Sequence, residues 1–102
     1  MKVAEYYESL EYILEELKAE LPEDLRDFPY ETIAVEIVEV RKKGKVYKYV
    51  HLKGYRYGKT QTLKSYPIAS ADIEELQRLV KLYRALKHLN KSLDYMHSLC
   101  LT

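Results

Sequence analysis

With 102 residues, the chain has the length of a single domain, since domains commonly run to roughly 100–200 residues. A hydrophobic share of 47% supports one core, and a charged share of 32% keeps the surface solvated. Net charge is only +1, no apolar run approaches the roughly 20 residues of a membrane-crossing helix, and Cys100 is the only cysteine, so an intrachain disulfide is excluded.

These features predict a soluble protein with no membrane partner, in a reducing compartment. The opening Met1-Lys2-Val3-Ala4-Glu5 turns acidic at once, unlike an import signal, which predicts the cytoplasm of its own cell or of a host. Asn90 is the only asparagine, glutamine is confined to Gln61 and Gln77, and Lys and Glu are abundant, a bias shared with thermophile proteins. The small net charge conceals a segregated one. Residues 1–39 hold twelve acids and three bases, residues 40–71 nine bases and no acid, and residues 72–102 four acids and five bases.

The first element is an amphipathic helix over 3–21. Val3, Tyr7, Leu10, Leu14, Leu17 and Leu21 recur at spacings of four and three, and Tyr6 and Ile13 widen the stripe. Pro22 disfavours helical geometry at Leu21 and marks its end. The stretch Pro22 to Pro29 suits a turn or one short helical turn.

From Thr32 the period changes to two, which predicts strands over 32–66. Lys43-Gly44 makes a two-residue hairpin turn, with Gly44 able to take positive φ. That loop length sets Glu39 opposite Lys48, Ile37 opposite Val50 and Val35 opposite Leu52. A second two-residue turn at Tyr57-Gly58 sets Leu52 opposite Leu63 and Tyr49 opposite Tyr66. The result is a three-stranded antiparallel meander ending at Pro67, with Val46, Val50 and Leu52 facing the core.

The last element is a helix over 71–99, capped by Ser70 or Asp72, with Glu74 and Glu75 in its first turn. Ile73, Leu76, Leu79, Val80, Tyr83, Leu86, Leu89, Leu93 and Met96 form its apolar stripe. At 1.5 Å per residue it runs to about 42 Å, longer than the roughly 33 Å width of a 100-residue body. The excess predicts a homo-oligomer. The fold class is α+β, one domain over 1–102: helix, three-stranded antiparallel meander, long helix.

No pattern here predicts an enzyme, a cofactor or a metal. Gly58-Lys59-Thr60 lacks the earlier glycine of a phosphate-binding loop, because residue 53 is lysine, and it enters a strand where that motif opens a helix. His97 and Cys100, at i and i+3, are two ligands where structural zinc needs four. The carboxylates of the first helix are spread round a solvated face, with no sequestered pair for acid–base work.

The candidate binding residues lie on the meander. In the two-residue register, one face presents Tyr47, Tyr49, His51, Lys53 and Tyr55 from the central strand and Thr60, Thr62, Lys64 and Tyr66 from the third. Arg56 and Lys59 stand at the second turn, and the Arg41–Lys45 cluster stands at the first. Aromatic rings interleaved with bases suit nucleic acid, because bases stack on rings while Lys and Arg neutralise phosphates. Val38 and Val40 share this face, so an apolar neighbour can cover part of it, and the acidic first helix is one such cover. DNA or RNA is the leading partner, and a peptide or protein ligand is the alternative.

The run from Lys45 to Leu89 pairs tyrosine- and lysine-rich strands around a glycine turn with Asp72-Ile73-Glu74-Glu75-Leu76, Leu79, Tyr83-Arg84 and Leu86. It resembles short uncharacterised proteins of archaea and of archaeal viruses or plasmids. That resemblance brings no activity with it, and an accessory structural protein of a virus or plasmid stands beside the peptide or protein ligand as the alternative. Three strands followed by a helix are also similar in outline to sheet-reading DNA-binding domains such as integrase arm-binding modules, a likeness of fold alone.

Overall fold

A computed structural model describes residues 3–100. Its elements are helix α1 (Val3–Lys18), a 3₁₀ turn (Glu23–Leu25), strands β1 (Thr32–Lys42), β2 (Lys45–Arg56) and β3 (Lys59–Pro67), a second 3₁₀ turn (Ile68–Ser70) and helix α2 (Ile73–Cys100). The strands form one antiparallel sheet in the order β1-β2-β3, so the class is the expected α+β. No helix among the described residues is long and apolar enough to cross a membrane. The chain divides into two compact units, one holding residues up to Phe28 and from Leu82 onward, the other holding Pro29–Lys81.

In the first unit α1 and the later turns of α2 run antiparallel. The Tyr7 ring meets His97 with centroids 5.6 Å apart, and Phe28 meets Tyr83 edge-on at 5.6 Å. The core here is Leu14, Leu21, Leu25, Tyr83, Leu86 and Leu93. Helix α1 stops at Lys18, short of the expected Leu21, and tightens through 3₁₀-type bonds from Glu20 N to Leu17 O and from Leu21 N to Lys18 O. Arg26 then reaches back, donating Nε to Leu21 O at 3.0 Å and a terminal nitrogen to Ala19 O at 3.2 Å. One guanidinium thus ties down two carbonyls of the turn that follows the helix.

Tyr6 and Ile13, expected to widen the buried stripe, are instead 50% and 45% exposed. At 100° per residue they sit roughly 60–80° round from the line through Leu10 and Leu14. The stripe of α2, by contrast, is covered as far as Leu93, and Met96 is half-buried.

In the second unit both hairpins turn as expected. Lys43 and Gly44 have φ of 52° and 76°, and Tyr57 and Gly58 have 53° and 72°, the positive pair that a primed two-residue turn requires. The first hairpin keeps the expected register of Glu39 with Lys48, Ile37 with Val50 and Val35 with Leu52. The second departs from it. A bulge at Leu63 shifts the pairing, so Lys64 meets Leu52 and Tyr66 meets Val50, while Thr62 still meets Lys53. The extra residue carries Tyr66 to the sheet face of Val50 and Leu52, where it lines a hollow with Ser70, Asp72, Glu75 and Leu76. Ile33, Val50 and Leu52 are the buried centre of that face, but Val46, expected in the core, is 51% exposed near the hairpin tip.

Helix α2 is capped by Asp72, whose Oδ1 accepts the Glu75 N–H at 3.0 Å. Ser70 belongs to the preceding turn, donating to Pro67 O. Arg78 hydrogen-bonds the Glu75 carboxylate and, through that bond and its charge, holds the group below the usual carboxylate range.

Gly54 lies in mid-strand for a steric reason. A Cβ there would stand 2.6 Å from Tyr30 Cδ1 and 2.8 Å from its Cγ, so the ring lies flat against the β2 backbone. Gly54→Ala should therefore lower stability by about 1–3 kcal/mol through overpacking. In a Tyr30→Ala background the same change should cost much less, a coupling that chemical denaturation of the four proteins measures. The Glu39–Lys48 pair is open to solvent, with side chains 59% and 53% exposed and 3.8 Å between the charged atoms. Glu39→Lys should cost only about 0.5 kcal/mol by setting lysine opposite lysine. Adding Lys48→Glu should recover part of that in thermal melts, which checks the register.

Candidate functional site

Strand alternation and the bulge decide where the candidate residues stand. Tyr47, Tyr49, His51, Lys53 and Tyr55 do share one face of β2, as expected. Their neighbours across β1 are Val40, Val38, Glu36, Ala34 and Thr32, and those across β3 include Ser65, Thr62 and Thr60. Lys64 and Tyr66 leave this group, because their partners are Leu52 and Val50 on the opposite face. Arg56, paired with Lys59 two residues beyond Gly54, also falls on that opposite face. The expected single surface is thus two.

The tyrosine face is only partly exposed. Tyr49, His51, Lys53 and Tyr55 are half-buried, as are Val38 and Val40, and only Tyr47 among its rings is well exposed, at 43%. Lys53 Nζ lies 2.7 Å from Glu36 Oε2, with its side chain 20% exposed, so its charge is already met. Nδ1 of His51 is buried without a hydrogen-bond partner. A nitrogen in that position costs desolvation energy that nothing among the described residues returns.

The opposite face, near the second turn, carries a hollow of about 230 Å³ lined by Tyr30, Gly54, Arg56, Tyr57, Lys59 and Gln61. Tyr30 forms one wall, its ring against the Gly54 backbone and its hydroxyl 3.4 Å from Gln61 Oε1. The Arg56 guanidinium lies 5.1 Å from the centroid of the Tyr57 ring. Glu31 ties the turn down: its carboxylate accepts the Tyr57 N–H at 3.1 Å and its own N–H donates to Tyr55 O at 2.8 Å. Tyr30, Tyr57 and Gln61 were not among the expected binding residues. Two sequence signals point to them: a glycine in mid-strand, which marks a close approach, and a tyrosine where a primed turn prefers Asn, Asp or Gly.

The rejected nucleotide-loop triplet Gly58-Lys59-Thr60 is a hairpin turn entering β3. Among the described residues no three His, Cys, Asp or Glu side chains gather in a metal-holding group. The Cys100 side chain lies outside the described residues, and His97 rests on Tyr7.

Comparison of the chain with protein-family profiles, with characterised proteins and with solved structures finds no match. Its chemistry must be read from its own side chains.

Proposed function

We propose that this protein is a non-enzymatic binding module for nucleic acid, holding the phosphate backbone with the bases at the two ends of its meander. The observation that carries the reading is uncompensated charge. Of the nine bases in residues 40–71, Lys48 and Lys53 have carboxylate partners. Arg41, Lys42, Lys43, Lys45, Arg56, Lys59 and Lys64 make no ion pair among the described residues. They fall in two groups, one round the first turn and one of Arg56 and Lys59 at the second with Lys64 farther along β3 on the same face, the turns on the order of 35 Å apart at 3.3 Å per residue along β2. Such a concentration of unpaired cations attracts a polyanion, and release of its condensed counterions supplies the free energy of binding.

The test is fluorescence anisotropy with a labelled 30-nucleotide single strand at several salt concentrations. Each phosphate contact contributes about −0.7 to the slope of log K against log salt, so the three bases of the second group alone give about −2. That corresponds to binding weakened roughly 20-fold between 50 and 200 mM salt. Arg56→Ala and Lys59→Ala should each flatten the slope by about 0.7. Lys53→Ala should leave it nearly unchanged, since Glu36 already neutralises that ammonium. No binding at 50 mM salt, or a slope flatter than about −1, defeats the reading.

A second reading, a protein or peptide ligand, draws on Ile37 and Val46, apolar side chains of the first hairpin that are 54% and 51% exposed. It predicts binding that survives raised salt, since it releases few counterions. Self-association would draw on Tyr6, Ile13, Tyr95 and Leu99, all at least 45% exposed. Light scattering should then show species above 12.1 kDa at high micromolar concentration, and Ile13→Glu should return them to monomer.

A further inference from the structure

The hollow at the second turn carries side chains that the turn itself does not call for. Tyr57 has φ of 53°, a left-handed conformation that is a genuine outlier for a bulky side chain. Burial does not compensate, because the residue is 78% exposed. Asparagine would fit the turn better.

Beside it, Arg56 and Lys59 are direct cross-strand partners, and like charges placed so destabilise a sheet. Neither makes an ion pair among the described residues. The nearby carboxylate of Glu31 is engaged by the Tyr57 N–H, and it leaves the group net positive. A tyrosine in a strained turn position and two opposed cations each weaken the free protein; an aromatic anion would use the exposed ring and relieve the repulsion of the cations.

We infer that this hollow is a subsite for one nucleotide of a single strand, its base stacked on Tyr57 and its phosphate held by Arg56 and Lys59. The inference rests on the nucleic-acid reading and names the strandedness and the contacts. The Arg56 guanidinium covers one side of the Tyr57 ring, fixing its orientation and leaving the other side for a base. Gln61 offers its Oε1 to Tyr30, so its NH₂ donors remain for a carbonyl oxygen or ring nitrogen on the base edge. At about 230 Å³ the hollow is smaller than the roughly 300–1,000 Å³ of pockets for drug-sized molecules. One base with its phosphate suits it, and the rest of the strand lies outside. A duplex hides its base faces within the stack, so the subsite selects single strands. An acidic peptide would satisfy the two cations and leave the Tyr57 ring and the Gln61 amide unused.

The experiment compares wild type, Tyr57→Asn, Tyr57→Phe and Tyr57→Ala by anisotropy, using a fluorescein-labelled 12-nucleotide single strand, the matching duplex and a poly-glutamate competitor. Tyr57→Asn is the decisive variant, because it restores a preferred turn residue and so removes misfolding as an explanation. It should raise the melting temperature while weakening single-strand binding about tenfold, the order expected for loss of one base stack. Its duplex affinity and its salt slope should stay unchanged. Tyr57→Phe should bind as wild type, and Tyr57→Ala should match Tyr57→Asn in affinity. If wild type binds the strand and Tyr57→Asn binds it equally well, the subsite is wrong while the broader reading stands. If wild type binds neither oligonucleotide at low salt, both fall. If poly-glutamate displaces the strand at equal charge concentration, the site is one for acidic peptides and the inference is overturned.

Discussion

With two residues between β1 and β2, both at positive φ, each residue of β1 has a single partner on β2. The side chains of a strand alternate, so that partner also fixes which face of the sheet each side chain occupies. Everything the sheet presents follows from this constraint and from its one interruption. The bulge at Leu63 adds a residue to β3, and one residue is enough to exchange faces. Lys64 and Tyr66 cross over, Tyr66 meets the first turn of α2 at a shared hollow, and the basic residues at the second turn gain no tyrosine from the face behind them.

The register also decides which charges are spent. Glu39 and Lys48 meet because they are direct partners; Glu36 and Lys53 meet as diagonal neighbours one pair apart. The two acids of β1 thus neutralise the two lysines in mid-strand on β2. No acid follows Glu39 until Asp72, so the bases beyond Glu39 at the first turn, and those round the second, have no acidic strand opposite. Segregation of charge along the chain becomes segregation of charge across the sheet.

At the second turn, packing and strain act together. The Tyr30 ring occupies the space that a side chain at residue 54 would fill, and its hydroxyl contacts Gln61 on the next strand. Glu31, the next residue, holds the turn through the Tyr57 N–H. The segment leading into β1 therefore braces the second turn beside it, and the exposed Tyr57 ring stands on a braced turn. A strained residue persists only where its surroundings over-determine it, and here those surroundings are named.

The sequence by itself determined the element types, the two primed turns and the first hairpin register, because period, turn chemistry and cross-strand pairing are local and all agree. It also determined that the bases cluster between Arg41 and Lys64. It did not determine the faces of Lys64 and Tyr66, since a bulge leaves no local signature when Leu63, Lys64 and Tyr66 alternate plausibly in either register. The narrow buried stripe of α1, which leaves Tyr6 and Ile13 exposed, was likewise out of its reach, because the width of a stripe is set by what packs against it. Nor could it show that Lys53 is paired or that Tyr30 lies on Gly54, twenty-four positions along the chain. Those are contacts between residues distant in sequence, and only the tertiary structure brings them within reach.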